Sequence, residues 1–360
     1  MSRNVELTIK PTYRCNFTCD YCYIHEVQAR QSLSAQDTRR ILTAAADRAG
    51  TGRVLTKWHG GEPTLMGTAY FADMFAFQDS LPASFDNAVF TNLWALPDDL
   101  LQLFLSYDVH LFTSLDTVVV GHDTQRGGKN QRIMANLLRL RDADHERVTV
   151  KSTITSASVA DLTATYEFFK GLPFEWNFAP VFPADKGKDH VLNVLPDPAT
   201  FATQTTAIFD DWWRTGRPKI LLFDQVLRAL VHRGAPPPTP RPMFNVDAFG
   251  DVYTCPQMQG DARYLFGAFE GLPTWEQFKS RRCDFSEFHT DRCDECAFEW
   301  VCKINQCAFL GDCFSEIPER YVRQFCDTVK PLFDHIRLNY EQEAPAALAA
   351  AQGLDRPVAN

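Results

Sequence analysis

Hydrophobic and polar positions follow two different periods along the first part of the chain. Short runs rich in β-branched and aromatic residues, typical of buried strands, alternate with longer segments that have the 3.6-residue spacing of amphipathic helices. The strands are predicted at 5–11, 53–59, 87–92, 109–116, 147–155 and 174–182. The helices between them are predicted at 34–50, 68–81, 97–107, 131–143 and 159–172.

This alternation predicts an α/β fold with a parallel sheet and right-handed crossovers. Six strand–helix units are too few to close an eight-stranded barrel, so the predicted architecture is a partial (β/α)6 TIM-type barrel. Two further helices are predicted at 200–216 and 219–233, before the proline-rich stretch "RGAPPPTPRP". Proline-rich composition indicates a stiff, extended connector.

The predicted organisation therefore has four parts. Residues 1–232 form the barrel core with its following helices, and 233–242 form the linker. Residues 243–335 form a cysteine-rich domain, and 336–360 a C-terminal helix or tail.

Charge and hydropathy exclude several partner classes. The net charge of −9 lacks the basic excess that nucleic-acid binding requires. No window approaches the roughly 20 apolar residues that cross a bilayer, and the first residues contain no apolar signal-peptide core. We predict a cytoplasmic enzyme that contacts neither membrane nor nucleic acid.

The 11 cysteines fall into a group of three at 15–22 and a group of eight between 255 and 326. Without a signal peptide, and with an odd count, disulfides are a poor explanation. Clustered thiols in a reducing compartment indicate metal or iron–sulfur binding.

Three polar segments follow predicted strands, where the loops of an α/β fold bind ligands. They are "CNFTCDYC" at 15–22, "HGGEP" at 59–63 and "SLD" at 114–116. Three thiolates can hold a [4Fe–4S] cluster by three irons and leave the fourth iron for a small ligand. Gly60 and Gly61 allow close backbone approach, and Glu62 offers a carboxylate to a ligand ammonium.

These segments resemble the CxxxCxxC and GGEP motifs of the radical SAM enzymes. The resemblance implies that Cys15, Cys19 and Cys22 hold the catalytic cluster, and that S-adenosylmethionine (SAM) occupies the open iron. Reductive cleavage of SAM would then yield a 5′-deoxyadenosyl radical. The alternatives are a zinc site completed by a distant histidine, or three buried thiols.

Further positions carry over from the same resemblance. Tyr21 matches an aromatic residue that lies against the adenine, although it could simply pack. "SLDTVVVGHDTQR" resembles a segment of the peptide-modifying branch, which implies Ser114 and Asp116 near the ribose and Arg126 near the SAM carboxylate. Asp116 and Arg126 could instead only pair with each other. Thr117 stands where that pattern has glycine.

The second cysteine group resembles the SPASM module, which holds two auxiliary [4Fe–4S] clusters in radical SAM enzymes acting on peptides. By this resemblance one cluster takes Cys293, Cys296, Cys302 and Cys326. The cysteines that remain could form the other cluster, with Cys283 or Cys313 in place of a missing member, and they are Cys255, Cys283, Cys307 and Cys313. The spacing from Cys302 to Cys307 is CX4C rather than CX3C, and the cysteine expected before Gly250 is absent. The second cluster could therefore have three thiolates and an open iron, and structural zinc is the alternative to both.

The predicted function is modification of a ribosomally made precursor peptide by a C–C or thioether cross-link, or by epimerisation. The chain before Cys15 is too short for a fused leader-binding domain, so a separate leader-recognition protein could assist. A flavodoxin or ferredoxin would supply electrons. Pro256 replaces the aspartate that serves as the base in anaerobic sulfatase-maturing enzymes, which disfavours that activity. The alternatives are a small-molecule dehydrogenase or decarboxylase, and a non-catalytic iron–sulfur or zinc scaffold.

Overall fold

The computed structural model describes residues 4–22, 24, 31–181, 194–231, 243–253, 262–269, 277, 298 and 319–342. The strands within these residues are β1 Val5–Thr12, β2 Arg53–Gly60, β3 Ser84–Phe90, β4 His110–Ser114, β5 Val148–Ile154, β6 Glu175–Pro180, β7 Lys219–Ile220, β8 Met243–Val246, β9 Asp251–Tyr253 and β10 Leu265–Ala268. The α-helices are α1 Ala35–Ala49, α2 Thr68–Asp79, α3 Asp98–Ser106, α4 Asn130–Asp142, α5 Leu162–Lys170, α6 Pro198–Thr215, α7 Leu221–Val231 and α8 Glu319–Gln342.

All described strands belong to one sheet with the order β10-β9-β8-β1-β2-β3-β4-β5-β6-β7. The strands from β8 to β7 run parallel, and β8, β9 and β10 are joined antiparallel. Consecutive parallel strands with a helix after each of the first five are the arrangement of a TIM-type barrel. Within the described residues β7 and β10 are the two edge strands, so the barrel they form is open. The predicted partial barrel is confirmed.

The sheet extends beyond the six predicted strands on both sides. β7 pairs with β6 where the sequence predicted only the start of a helix, and α7 begins directly after it at Leu221. β8 pairs with β1 through Glu6–Met243 to Ile9–Val246, so residues that follow the proline-rich stretch join the barrel sheet. The predicted domain boundaries remain predictions.

Helix α1 shows how the sequence sets these elements. Ser34 caps its start, because the Ser34 hydroxyl accepts a hydrogen bond from the Asp37 amide at 3.0 Å. Ile41, Leu42 and Ala45 then recur at helical spacing and are fully buried against the sheet. Gly50 ends the helix with a φ of 64°.

The two faces of the sheet differ in chemistry. The outer face packs apolar side chains against the helices, as at Trp58, which contacts Phe71 edge-on with a ring separation of 5.6 Å. Residues between these apolar positions point to the concave inner face, because side chains alternate along a strand. On β2 this places Lys57 and His59 inside the barrel. Polar side chains on this face surround the site.

Helix α8 packs against α6 and α7. Its Leu332, Phe333 and Ile336 side chains are buried, and the His335 ring lies 2.5 Å from a carboxylate oxygen of Asp210 on α6. The C-terminal segment thus adds to the barrel on the β6 side. No described helix is long and apolar enough to cross a membrane.

Candidate functional site

The first cysteine group lies in the loop that leaves β1 at the carboxyl edge of the sheet. The Cys22 amide donates to the Cys19 carbonyl at 3.0 Å, and the Phe17 amide donates to the Cys15 sulfur at 3.4 Å. Cys15 and Cys22 are exposed and Cys19 is partly buried, so all three thiols face a space accessible to ligand.

The electrostatics of these thiols suit metal binding. Burial raises the pKa of Cys15, and it raises the pKa of Cys19 to about 12 against the opposing effect of Arg126. The Cys15 and Cys19 thiols are therefore protonated until a cationic centre binds, and binding releases their protons. Among the described residues, no three His, Cys, Asp or Glu side chains are grouped closely enough to hold one metal ion. A cluster that takes one thiolate on each of three irons holds its ligand sulfurs farther apart than a single ion does, so this absence does not count against a cluster.

Gly60 and Gly61 allow the turn after β2 to pack against the cysteine loop. The Gly61 amide donates to the Thr12 carbonyl at 3.0 Å, and the Glu62 amide donates to the Arg14 carbonyl at 2.8 Å. A Cβ on Gly61 would lie 2.3 Å from the Arg14 oxygen, and one on Gly60, whose φ is +117°, would lie 2.4 Å from the Thr12 oxygen. The close backbone approach predicted from the sequence is thus made to the cysteine loop itself.

The Glu62 carboxylate is held in place by neighbouring donors. Its Oε1 accepts from the Thr64 amide at 3.1 Å, the Thr64 hydroxyl at 2.7 Å and the Thr91 hydroxyl at 2.8 Å. Its Oε2 accepts from the Asn92 amide at 2.6 Å. Burial raises the pKa of Glu62, and these hydrogen bonds oppose that effect. Oε2 accepts one bond from the described residues and keeps capacity for a ligand ammonium.

Tyr21, Asp116 and Arg126 meet in one hydrogen-bonded group. The Tyr21 hydroxyl donates to Asp116 Oδ2 at 2.5 Å, and Arg126 Nη1 donates to the Tyr21 oxygen at 3.1 Å. The Thr153 amide donates to Asp116 Oδ1 at 2.9 Å. Burial raises the pKa of Tyr21 well above its usual range, so the phenol keeps the proton it donates. These contacts join the cysteine loop to the ends of β4 and β5.

Thr117 replaces the glycine of the resembled pattern without backbone strain. Thr117 does not have the positive φ that would favour glycine. Its buried hydroxyl donates to Asp161 at 2.8 Å and accepts from the Val119 amide at 3.0 Å. A threonine therefore fits the turn and stabilises it.

The resemblance also implied that "FTN" at 90–92, which contains Thr91 and Asn92, lines the cavity, whereas Thr64 and Lys151 were not singled out from the sequence. The Thr64 and Thr91 hydroxyls orient Glu62. Asn92 Nδ2 donates to Asn16 Oδ1 of the cysteine loop at 2.7 Å. Lys151 lies on the inner face of β5 beside Ser114 of β4, in register with it. The signal for Lys151 was a charged residue inside an otherwise uncharged strand sequence. Thr64 carried no signal, because a threonine in a turn is common and marks no particular site.

The second cysteine group is described only in part. Cys326 lies on α8, is half-buried and is not in a disulfide. The other predicted cluster ligands lie outside the described residues, and they are Cys255, Cys283, Cys293, Cys296, Cys302, Cys307 and Cys313.

Comparisons with known proteins agree with the fold and with the family that the sequence resembles. Residues 9–157 match the model of the Radical SAM superfamily. A cysteine-type anaerobic sulfatase-maturating enzyme of Clostridium novyi is 23% identical over 332 residues, which cover 84% of this chain and 87% of that protein.

Two solved structures share the overall fold. Native anSMEcpe with bound AdoMet superposes with a TM-score of 0.74 at 18% identity, covering 94% of this chain and 100% of that one. SuiB of Streptococcus suis, bound to its precursor peptide SuiA, superposes with a TM-score of 0.61 at 16% identity, covering 84% of this chain and 71% of that one.

Proposed function

We propose that this chain, whose residues 9–157 match the model of the Radical SAM superfamily, is a peptide-modifying radical SAM enzyme. Cys15, Cys19 and Cys22 hold a [4Fe–4S] cluster, and SAM binds the iron that these thiolates leave open. When bound, the cluster would supply an electron, and SAM would supply the carbon radical that removes a hydrogen atom from the substrate. The observation that carries this proposal is the packing of the Gly60–Glu62 turn directly on the cysteine loop.

The residues around the loop bind and orient the cofactors. The Glu62 carboxylate, fixed by Thr64, Thr91 and the Asn92 amide, accepts a hydrogen bond from the SAM ammonium through Oε2. A preorganised acceptor of this kind costs little conformational entropy on binding. The backbone bonds from Gly61 and Glu62 fix this acceptor relative to the cluster thiols.

A second group of side chains lies where the cysteine loop meets the ends of β4 and β5. It consists of Tyr21, Asp116 and Arg126. The Arg126 Nε is buried without a hydrogen-bond partner among the described residues. An unpaired buried donor is costly, so a ligand acceptor beside it is favourable. We assign Arg126 to the SAM carboxylate, Ser114 and Asp116 to the ribose, and Tyr21 to the adenine side.

A peptide is the proposed substrate. SuiB, which shares the fold, was crystallised with its precursor peptide, and the cysteine pattern after residue 250 resembles the SPASM module of peptide-modifying enzymes. The relative from Clostridium novyi is named as a sulfatase-maturating enzyme. Pro256 offers no carboxylate base after Cys255, so we propose a different reaction on the peptide, namely a cross-link or an epimerisation.

The remaining cysteines complete the proposal. Eight thiols supply two auxiliary [4Fe–4S] clusters, with Cys326 reaching one of them from α8. A flavodoxin or ferredoxin reduces the first cluster, and a separate protein presents the leader of the precursor.

Anaerobic SAM cleavage tests the core of this proposal. The reconstituted protein should release 5′-deoxyadenosine when dithionite is added, and a variant with Cys15, Cys19 and Cys22 changed to alanine should release none. A Cys326→Ala variant is the matched control, because it removes a thiol but leaves the first cluster intact. Cleavage that survives the triple change would refute the assignment of the cluster.

The substrate is found by co-expression with each short open reading frame beside the gene. A peptide lighter by two hydrogen atoms, seen only with the three cysteines intact, would establish an oxidative maturase. An unchanged mass with deuterium uptake from the solvent would indicate epimerisation. If both measurements are negative for every candidate, a small-molecule substrate replaces the peptide.

A further inference from the structure

A row of polar side chains crosses the inner face of the barrel beside the cofactor site. Ser114 on β4 is in register with Lys151 on β5, and Lys151 is in register with Asn177 on β6. Neighbouring strands lie about 4.8 Å apart, so these three side chains are adjacent. The residues on either side of Lys151, Val150 and Ser152, are fully buried on the helix-facing side, which directs Lys151 into the barrel.

The next row toward the amino ends of the strands is already satisfied. Thr149 lies 2.9 Å from the His110 ring nitrogen and donates to Glu175 at 3.0 Å. Glu175 in turn forms an ion pair with Lys219. This deeper row therefore has no spare charge for a ligand.

Lys151 differs from these residues. Its ammonium makes no hydrogen bond or ion pair with any residue that the structure describes, although it retains accessible surface inside the barrel. The surrounding protein lowers its pKa by desolvation, against the attraction of Asp116. Asp116 itself is occupied by the Tyr21 hydroxyl and the Thr153 amide. Lys151 is exposed to the open interior of the barrel, so a carboxylate that enters the barrel can pair with its ammonium.

Asn177 adds a neutral donor to the same place. Its Oδ1 accepts from the Phe178 amide at 3.0 Å, which fixes the side chain and leaves Nδ2 without a partner among the described residues. One ammonium and one amide N–H match the two oxygens of a carboxylate. A phosphate dianion would leave a charge uncompensated so close to Asp116.

We infer that Lys151 and Asn177 form a subsite for a carboxylate of the substrate, namely an acidic side chain of the peptide. This inference rests on the proposed function and names the substrate class. It places an acidic group of the peptide at β5 and β6, and it makes both residues determinants of specificity.

The SAM carboxylate is the competing source of the same chemistry. In the proposed function the SAM ammonium binds Glu62, which follows β2, and the ammonium and the carboxylate sit on one carbon atom of SAM. Lys151 lies three strands from β2, which is about 14 Å across the sheet. Arg126 is assigned to the SAM carboxylate, so Lys151 is left to the substrate.

Binding of two matched tripeptides tests the inference. The probes are N-acetyl-Gly-Asp-Gly-amide and its isosteric amide N-acetyl-Gly-Asn-Gly-amide, titrated by calorimetry into the reconstituted, SAM-loaded enzyme. We expect the acidic probe to bind about tenfold more tightly, because a charge-assisted bond replaces a neutral one. Lys151→Met should abolish the preference for the acidic probe, and Lys151→Arg should retain it, because arginine keeps the positive charge. Lys219→Met, which removes an ion-paired lysine of the same sheet, should leave it unchanged.

The outcomes separate the possible sources. Equal binding of the two tripeptides to the wild-type enzyme would overturn the inference. So would a Lys151→Met variant that loses the affinity difference between SAM and decarboxylated SAM, because Lys151 would then hold the cofactor. The tripeptide titration and the comparison of SAM with decarboxylated SAM are both binding measurements, so neither requires turnover. The proposed function is tested separately, because it fails if the wild-type protein neither binds nor cleaves SAM.

Discussion

A methyl group on Gly61 would lie 2.3 Å from the Arg14 oxygen and 2.5 Å from the Tyr13 oxygen. Backbone atoms cannot move aside as a flexible side chain can, so Gly61→Ala should push the cysteine loop away from the turn. We expect a loss of about 1–3 kcal/mol in the free energy of unfolding and a lower iron content after reconstitution. Urea unfolding and iron analysis measure the two effects.

Gly171→Ala is the matched control for this change. Its added Cβ would meet its nearest neighbour, the Phe168 oxygen, at an ordinary 3.6 Å. It should therefore alter stability by no more than about 0.5 kcal/mol and leave the iron content unchanged. Equal effects of the two substitutions would contradict the close approach of turn and loop.

His59 makes the stability of the barrel depend on pH. Burial lowers its pKa to about 3, whereas an unfolded histidine has a pKa of about 6.5. Between these values the unfolded chain binds a proton that the folded chain does not, so stability falls as pH falls through this window. His59→Asn cannot titrate, yet it keeps an acceptor for the Gly60 amide, which His59 Nδ1 binds at 2.7 Å.

We therefore expect the variant to lose less stability than the wild-type protein between about pH 7 and pH 5.5. Urea unfolding of the reconstituted proteins at both pH values, followed by circular dichroism, measures the difference. An identical pH dependence in both proteins would show that His59 is not the titrating group.

At the scale of elements, helix α8 depends on a few apolar side chains. Ile336 is fully buried where α8 meets α6 and α7, whereas Leu338 on the same helix is 49% exposed. Ile336→Ala should lower the free energy of unfolding by about 2–5 kcal/mol, because it removes buried surface and leaves a cavity. Leu338→Ala should change it by no more than about 0.5 kcal/mol. Similar losses from both would contradict the docking of α8 on the barrel.

The elements show where sequence patterns suffice. The six barrel strands were predicted because each alternates or runs apolar over at least five residues, and α1 was predicted with its Ser34 cap. β7, with two residues, and β9, with three, are too short to show a period. β8 was missed because its place beside β1 depends on pairing between residues more than 230 positions apart, such as Glu6 and Met243.

Some features of the site could likewise be predicted from local sequence patterns, and others could not. The cysteine loop, the Gly60–Glu62 turn and the segment from Ser114 to Arg126 are local motifs, and the sequence named them. The contact of Tyr21 with Asp116 and the row through Lys151 depend on strand register, because only pairing decides which inner-face residues are neighbours. A single sequence carries no record of that register.

At the scale of the whole molecule, 11 cysteines are distributed between two predicted iron-binding regions. In the proposed function three thiols after β1 hold one cluster and eight C-terminal thiols hold two, so we expect the reconstituted protein to contain about 12 irons, four for each cluster. The triple Cys15, Cys19 and Cys22 variant should lose about four irons and all SAM cleavage. Cys293→Ala should lose about four irons from a different cluster and keep the SAM-binding iron.

Metal analysis together with electron paramagnetic resonance of the reduced proteins separates the two regions, because the signal of the first cluster responds to added SAM. In Cys293→Ala this response should persist while the total iron falls. The prediction depends on the two regions being independent iron sites in one chain, as their separation in sequence implies. Zinc bound in place of the auxiliary iron, and lost in Cys293→Ala, would instead make the C-terminal region a structural metal domain attached to a single-cluster enzyme.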